Sequence, residues 1–178
     1  MRRYLVGTLL LSVGCGGGRI NPPDYPARVD RVDERGNIVF ARGLDERLRA
    51  TIVGTVNRVF DAVAASYTEL GIPPTLVDRA EHRYGNVGFV VPNSFAGGRV
   101  DQYFDCGADL TGALAGRGRL VAAVVTTLTA QDSMTTLAAT QVTGTLRRAD
   151  GTSTRPVTCA STGLLEEQLR QVVERRLK

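Results

Sequence analysis

Two long stretches, 119–130 and 135–147, are rich in Val and Thr and flank the short polar turn Gln131-Asp132-Ser133. β-Branched side chains lose rotamer freedom on a helix but pack well on a pleated surface. Two such runs around a tight polar turn predict a long antiparallel hairpin. A sheet built on that hairpin has an apolar face that must be covered. The rest of the chain must therefore supply more strands and something to lay across them.

Two segments have the helical period. In 56–70, Val59, Phe60, Val63, Tyr67 and Leu70 recur at steps of three and four. Thr55 can cap this helix, Gly71 closes it, and Pro73-Pro74 forbid continuation. A rival reading starts the helix at Asp45, because Leu48, Ile52 and Val56 also fit the spacing. Gly54, next to the β-branched Thr51, Ile52 and Val53, favours a strand followed by a helix. At the C-terminal end Ser161 or Thr162 caps a closing helix, with Leu165, Leu169, Val172 and Val173 as its buried stripe. Glu166 and Glu167 lie in its first turn and Arg170, Arg175, Arg176 and Lys178 toward its end, as the helix dipole favours.

Between and before the helices the sequence reads as strands. Residues 47–53 (RLRATIV) alternate, with Leu48, Ala50 and Ile52 on one face and Arg47, Arg49 and Thr51 on the other. Residues 37–42 (NIVFAR) form a candidate hairpin partner across the turn Gly43-Leu44-Asp45. Further strands are expected at 75–79, 84–91 and 98–104, with a short one at 157–159 and a turn at Asp150-Gly151. The main elements run β-β-α-β-β-β-β-β-α. The expected fold is a single α+β domain, an antiparallel sheet packed against an early helix and a C-terminal helix. This order resembles helix-grip domains, in which a curved sheet wraps a C-terminal helix. Residues 56–72 (VNRVFDAVAASYTELGI) are similar to the repeated domains of BamC-like outer-membrane assembly lipoproteins.

The N-terminus carries a separate message. Arg2 and Arg3 precede an apolar, uncharged run at 4–13 (YLVGTLLLSV), which ends at Gly14-Cys15. The run suits the apolar region of a signal peptide and falls short of the roughly 20 residues that span a bilayer. Leu11-Ser12-Val13-Gly14-Cys15 resembles the lipobox of bacterial lipoproteins, with Ser12 where Leu is usual. The alternative is an ordinary secretory signal followed by a chance cysteine. The resemblance implies cleavage before Cys15 and lipidation of that cysteine, with several acyl chains holding the protein firmly to a membrane. Gly16, rather than Asp, after the cysteine implies the periplasmic side of the outer membrane. The expected organisation is a signal peptide at 1–14, lipidated Cys15 and a tether at 15–36, and a globular domain at 37–178. Glycines 16–18 with Pro22, Pro23 and Pro26 prevent helix and ladder formation in that tether.

Three cysteines are present, and assigning Cys15 to lipid leaves Cys106 and Cys159. An exported compartment permits oxidation, so a Cys106–Cys159 disulfide is the expected reading. A free reactive thiol and two buried reduced cysteines are the alternatives. The bridge would join the end of a sheet strand to the start of the closing helix. The formal net charge is +4, of which Arg2 and Arg3 supply two, so the processed chain is nearer +2. The arginines are interspersed with acids, as in DRVDER, and form no run that would grip nucleic acid.

Motifs for chemistry are sparse. His82 is the only histidine, in the polar junction Glu81-His82-Arg83, and reads as a surface residue. Asp101, Asp105 and Asp109 fall in GRVDQYFDCGADLTG; their spacing matches no calcium loop, and Asp101 and Asp105 are expected on one face of a strand. Gly116-Arg117-Gly118 lacks the strand-to-helix setting of a phosphate loop. No cofactor and no metal is implied, and no catalytic set is assembled. The expected role is a non-catalytic, envelope-anchored lipoprotein, held to the membrane by lipid and engaging other envelope proteins. The alternative is a carrier or sensor of an apolar small molecule. The small residues Ala122, Ala123, Ala138 and Ala139 would then leave room under the closing helix.

Overall fold

The computed structural model describes residues 49–148 and 156–178. The segments read as signal peptide, Cys15, tether, the 37–42 strand with its turn, and the Asp150-Gly151 turn all lie outside the described residues.

Strand β1 (Arg49–Val53) buries Ile52 and turns Arg49, Thr51 and Val53 outward. The alternation read from the sequence therefore holds over 49–53, and the rival helix from Asp45 is not formed over this stretch. Gly54 breaks the strand at φ 152°. Its N–H donates to Met134 O at 2.7 Å, and its carbonyl accepts from the Thr136 hydroxyl at 2.8 Å. Helix α1 (Val56–Glu69) follows, with Thr55 as its cap residue. It buries Val59, Phe60, Ala62, Val63, Ser66 and Tyr67 on one side. It ends in a Schellman motif: Ile72 N–H reaches Tyr67 O at 2.9 Å and Gly71 N–H reaches Thr68 O at 3.1 Å. Gly71 makes this possible at φ 71°, a conformation that costs a residue without Cβ little.

Strands β2 (Leu76–Asp78) and β3 (Arg83–Val91) come next, then a tight hairpin of β4 (Ser94–Phe95) and β5 (Gly98–Arg99). The strand expected at 98–104 is not formed as one piece. The chain instead makes a helical turn, α2 (Val100–Tyr103), before the two-residue strand β6 (Phe104–Asp105). The reason is the apolar spacing. Val100 and Tyr103 are both buried, and three residues apart they share a helical face, not a strand face. Tyr103 packs edge-on against Phe95 with ring centres 5.8 Å apart, and its hydroxyl donates to Ala96 O at 2.9 Å. A small hairpin, β7 (Ala108–Asp109) with β8 (Gly112–Ala113), leads to the long strands.

The long hairpin is as the sequence predicts. Strands β9 (Gly118–Ala130) and β10 (Thr135–Arg148) pair without a break from Thr136↔Ala130 to Arg148↔Gly118. The last strand, β11 (Val157–Ser161), precedes helix α3 (Leu164–Leu177). The main sheet has the order β2-β3-β9-β10-β11-β6, every pairing antiparallel. With β9 along one edge of β10, its other edge is shared end to end. β1 takes residues 135–139 and β11 takes residues 144–146.

One face of this sheet carries Leu120, Ala122, Val124, Thr126 and Leu128 of β9 and Ala138, Thr140, Val142 and Leu146 of β10, all buried. Helices α1 and α3 lie against it and against each other. Tyr84 of β3 stacks edge-on with both Phe60 and Tyr67 of α1, at 5.7 and 5.2 Å. The molecule is thus α+β, with an antiparallel sheet covered by an early helix and a C-terminal helix. Among the described residues no helix is long and apolar enough to cross a membrane.

Candidate functional site

The junction between β11 and α3 gathers most of the chemistry that the fold assembles. Cys106, just past β6, and Cys159, inside β11, form a disulfide with an S–S distance of 2.00 Å and a Cα–Cα distance of 4.1 Å. Both are buried. The pairing agrees with the expectation, as does the strand at 157–159, but Cys159 does not begin the closing helix. Cys159 faces β10 at Gly144 as a strand residue, five positions before α3. The bond ties the chain leaving β6 to β11, two neighbouring strands, and does not pin the helix directly. β11 extends to Ser161 because Ala160 and Ser161 find partners in Asp105 and Phe104, which sequence alone does not reveal.

The cap of α3 also differs from the expectation. Gly163 is the cap residue, in the left-handed region at φ 84°. Ser161 and Thr162 act around it. Ser161 Oγ accepts from Gly163 N–H at 3.0 Å and donates to Glu166 Oε2 at 2.8 Å. Thr162 donates its hydroxyl to Gln102 O at 2.6 Å, while its own N–H reaches Tyr103 O at 3.1 Å. The junction is therefore fastened on both sides, to α2 behind and to Glu166 ahead.

Glu166 stands with Glu167 in the first turn of α3, as expected, but the dipole argument does not foresee its burial. Its side chain has only 6% of its surface exposed. Oε1 has no hydrogen-bond partner. Burial pushes its carboxyl up to about 7, against the smaller opposing effect of the Ser161 hydrogen bond. A signal existed in the spacing. Glu166 stands three before Leu169 and seven before Val173, in line with the apolar stripe. Glu167, one place on, does behave as an exposed dipole-end acid. It takes two bonds from Arg170 and one from Gln171.

A second buried polar group lies on the same sheet face. The Tyr67 and Thr126 hydroxyls are 3.0 Å apart, and those of Thr126 and Thr140 are 2.9 Å apart. Burial raises the Tyr67 phenol far above its ordinary value, so it stays neutral. Nothing in the sequence marks Thr126 and Thr140 among the other threonines of the hairpin.

The remaining candidates are dispersed. His82 sits at φ 48° in the turn before β3, and its carbonyl accepts from Leu128 N–H. Asp101 lies beyond the other end of β3, on α2 and not on a strand. Arg99 holds both its oxygens, at 3.0 and 2.7 Å. Asp105 is on β6 and accepts from Gly107 N–H at 2.8 Å, closing a turn. Asp101 and Asp105 therefore do not share a strand face, and neither meets His82. Asp109 belongs to β7. Gly116-Arg117-Gly118 is the turn into β9, where Arg117 N–H donates to Leu114 O at 2.9 Å. Among the described residues no three His, Cys, Asp or Glu side chains gather as a metal site. Ala122 and Ala138 face the helices, while Ala123 and Ala139 are on the opposite face of the sheet. No protein-family model and no curated protein matches this sequence.

Proposed function

We propose that the chain is a membrane-anchored, non-catalytic lipoprotein of a bacterial envelope, whose α+β domain serves as a protein-interaction or assembly module. The observation that carries this reading is the cysteine arrangement. Cys106 and Cys159 are bonded to each other, a state that oxidising compartments maintain and the cytosol does not. That leaves Cys15, at the end of the positive and apolar run from Arg2 to Gly14, as the one cysteine free for lipid. The likeness of 56–72 to BamC-like domains supports an assembly role. The carboxylates Asp101 and Asp105, engaged by Arg99 and by Gly107 N–H, offer no paired acid and base.

Intact mass of the protein purified from membranes tests the anchor. The expected mass is that of a chain beginning at Cys15, with added acyl groups and two hydrogen atoms fewer for the disulfide. A chain that keeps residues 1–14, or that lacks acyl mass, overturns it. Cross-linking in intact envelopes tests the module, with recovery of a defined protein partner expected. Recovery of the protein alone, repeatedly, counts against that role.

A further inference from the structure

The connection between β11 and α3 has the parts of a hinge with a catch. Gly163 supplies the bend at φ 84°. Upstream of it the chain is fixed: Cys159 is bonded to Cys106, and Thr162 is held to Gln102 and Tyr103. Downstream, the first turn of α3 is held by the contact of Ser161 Oγ with Glu166 Oε2 and by burial of the Glu166 side chain. One carboxyl oxygen is satisfied and the other, Oε1, is buried without a partner. A neutral carboxyl tolerates such a place, whereas a carboxylate there lacks the donors that its charge demands.

Among the described residues, no cationic side chain is bonded to its carboxyl. α3 packs against α1, β10, α2 and β1. From α1 the ionisable neighbour is Tyr67, neutral as described. The charged residues that α1 turns to α3, Arg58 and Glu69, meet its last turns, at Leu177 O and at Arg175 and Arg176. β10 presents Thr140 and Val142, and β1 presents Ala50 and Ile52, all uncharged. The charge on α2, Asp101, is paired with Arg99. On α3, Glu167 and Arg170 are paired with each other.

We propose that Glu166 is a proton-controlled latch on α3, holding its first turn against the sheet when neutral and releasing that turn about Gly163 when ionised. The sign follows from burial. The packed state binds the proton more tightly than the released state, so packing weakens as pH rises from the ordinary glutamate range through about 7 and levels off above it.

Native-state hydrogen exchange of the full chain, corrected for the intrinsic pH dependence of exchange, tests the latch. Protection of the amides at 167–170, whose bonds run back across the first turn, is expected to fall roughly tenfold between pH 5.5 and 8, while the β9–β10 amides serve as an unchanged reference. In Glu166→Gln the fall should be absent. In Ser161→Ala the midpoint should move up, because the hydroxyl that favours the carboxylate is gone. Equal pH profiles in wild type and E166Q overturn the proposal. So does a fall that the β9–β10 amides share in full. If E166Q fails to fold, carboxyl ¹³C titration of wild-type Glu166 decides: a midpoint near 7 supports the latch, and one near 4.5 rejects it.

Discussion

Tyr67 of α1 and Thr126 of β9 meet hydroxyl to hydroxyl at 3.0 Å inside the core, and Thr126 in turn meets Thr140 of β10 at 2.9 Å. Helix and sheet are thus joined through a polar contact where the surroundings are apolar. Tyr67→Phe removes one bond and leaves the two threonines to satisfy each other. The expected loss is about 1 kcal/mol, read as a lower urea midpoint with an unchanged slope. A loss within error shows that the contact adds nothing to packing.

The disulfide links residues 53 apart in sequence and closes a loop that holds the β7–β8 hairpin and the long hairpin. Reduction, or Cys106→Ala with Cys159→Ala, should lower stability by about 2–4 kcal/mol. Urea unfolding with and without reductant measures it. Identical midpoints reject the bridge as a stabilising element.

Gly144 of β10 leaves no room for a larger residue. A Cβ there would stand 3.0 Å from Phe104 Cδ1 and 3.2 Å from both Cys159 Cβ and Leu120 Cδ1. Gly144→Val is expected to cost about 1–3 kcal/mol through overpacking. A thermal midpoint at or above that of wild type contradicts this packing.

Glu167 titrates opposite to Glu166. Its bonds from Arg170, and then from Gln171, lower its carboxyl to about 2 from the ordinary 4.5. A depressed carboxyl stabilises the fold above the ordinary value and stops doing so as pH falls through about 2. The side chain is 44% exposed, so screening holds the effect below about 1 kcal/mol. The urea midpoint of Glu167→Gln should lie slightly below that of wild type at pH 5 and merge with it near pH 2. A constant gap across that range removes Glu167 as the cause.

Legibility in the sequence followed the range of the interactions. The β9–β10 hairpin, α1 with its Gly71 end, and the α3 stripe of Leu165, Leu169, Val172 and Val173 are set by local period and turn residues. The Cys106–Cys159 pairing followed from counting cysteines and compartment. What escaped depends on contacts distant in sequence. The 98–104 segment reads as β by composition, yet it turns into α2 because Val100 and Tyr103 need the same face. Ser161 becomes a strand residue only beside Phe104. Glu166 falls in the first turn as the dipole rule expects, but its burial went unread although its spacing pointed inward.

The sharing of one β10 edge by β1 and β11 has a consequence in time. The hydrogen bond between Thr136 and Gly54 spans 82 residues, and the β1 register is written wholly on residues 135–139. The β9–β10 hairpin closes from neighbouring sequence, whereas β1 must wait for a strand 82 residues further along the chain. Until β10 has been made, β1 therefore has no partner among the described strands, and it remains a guest without a host.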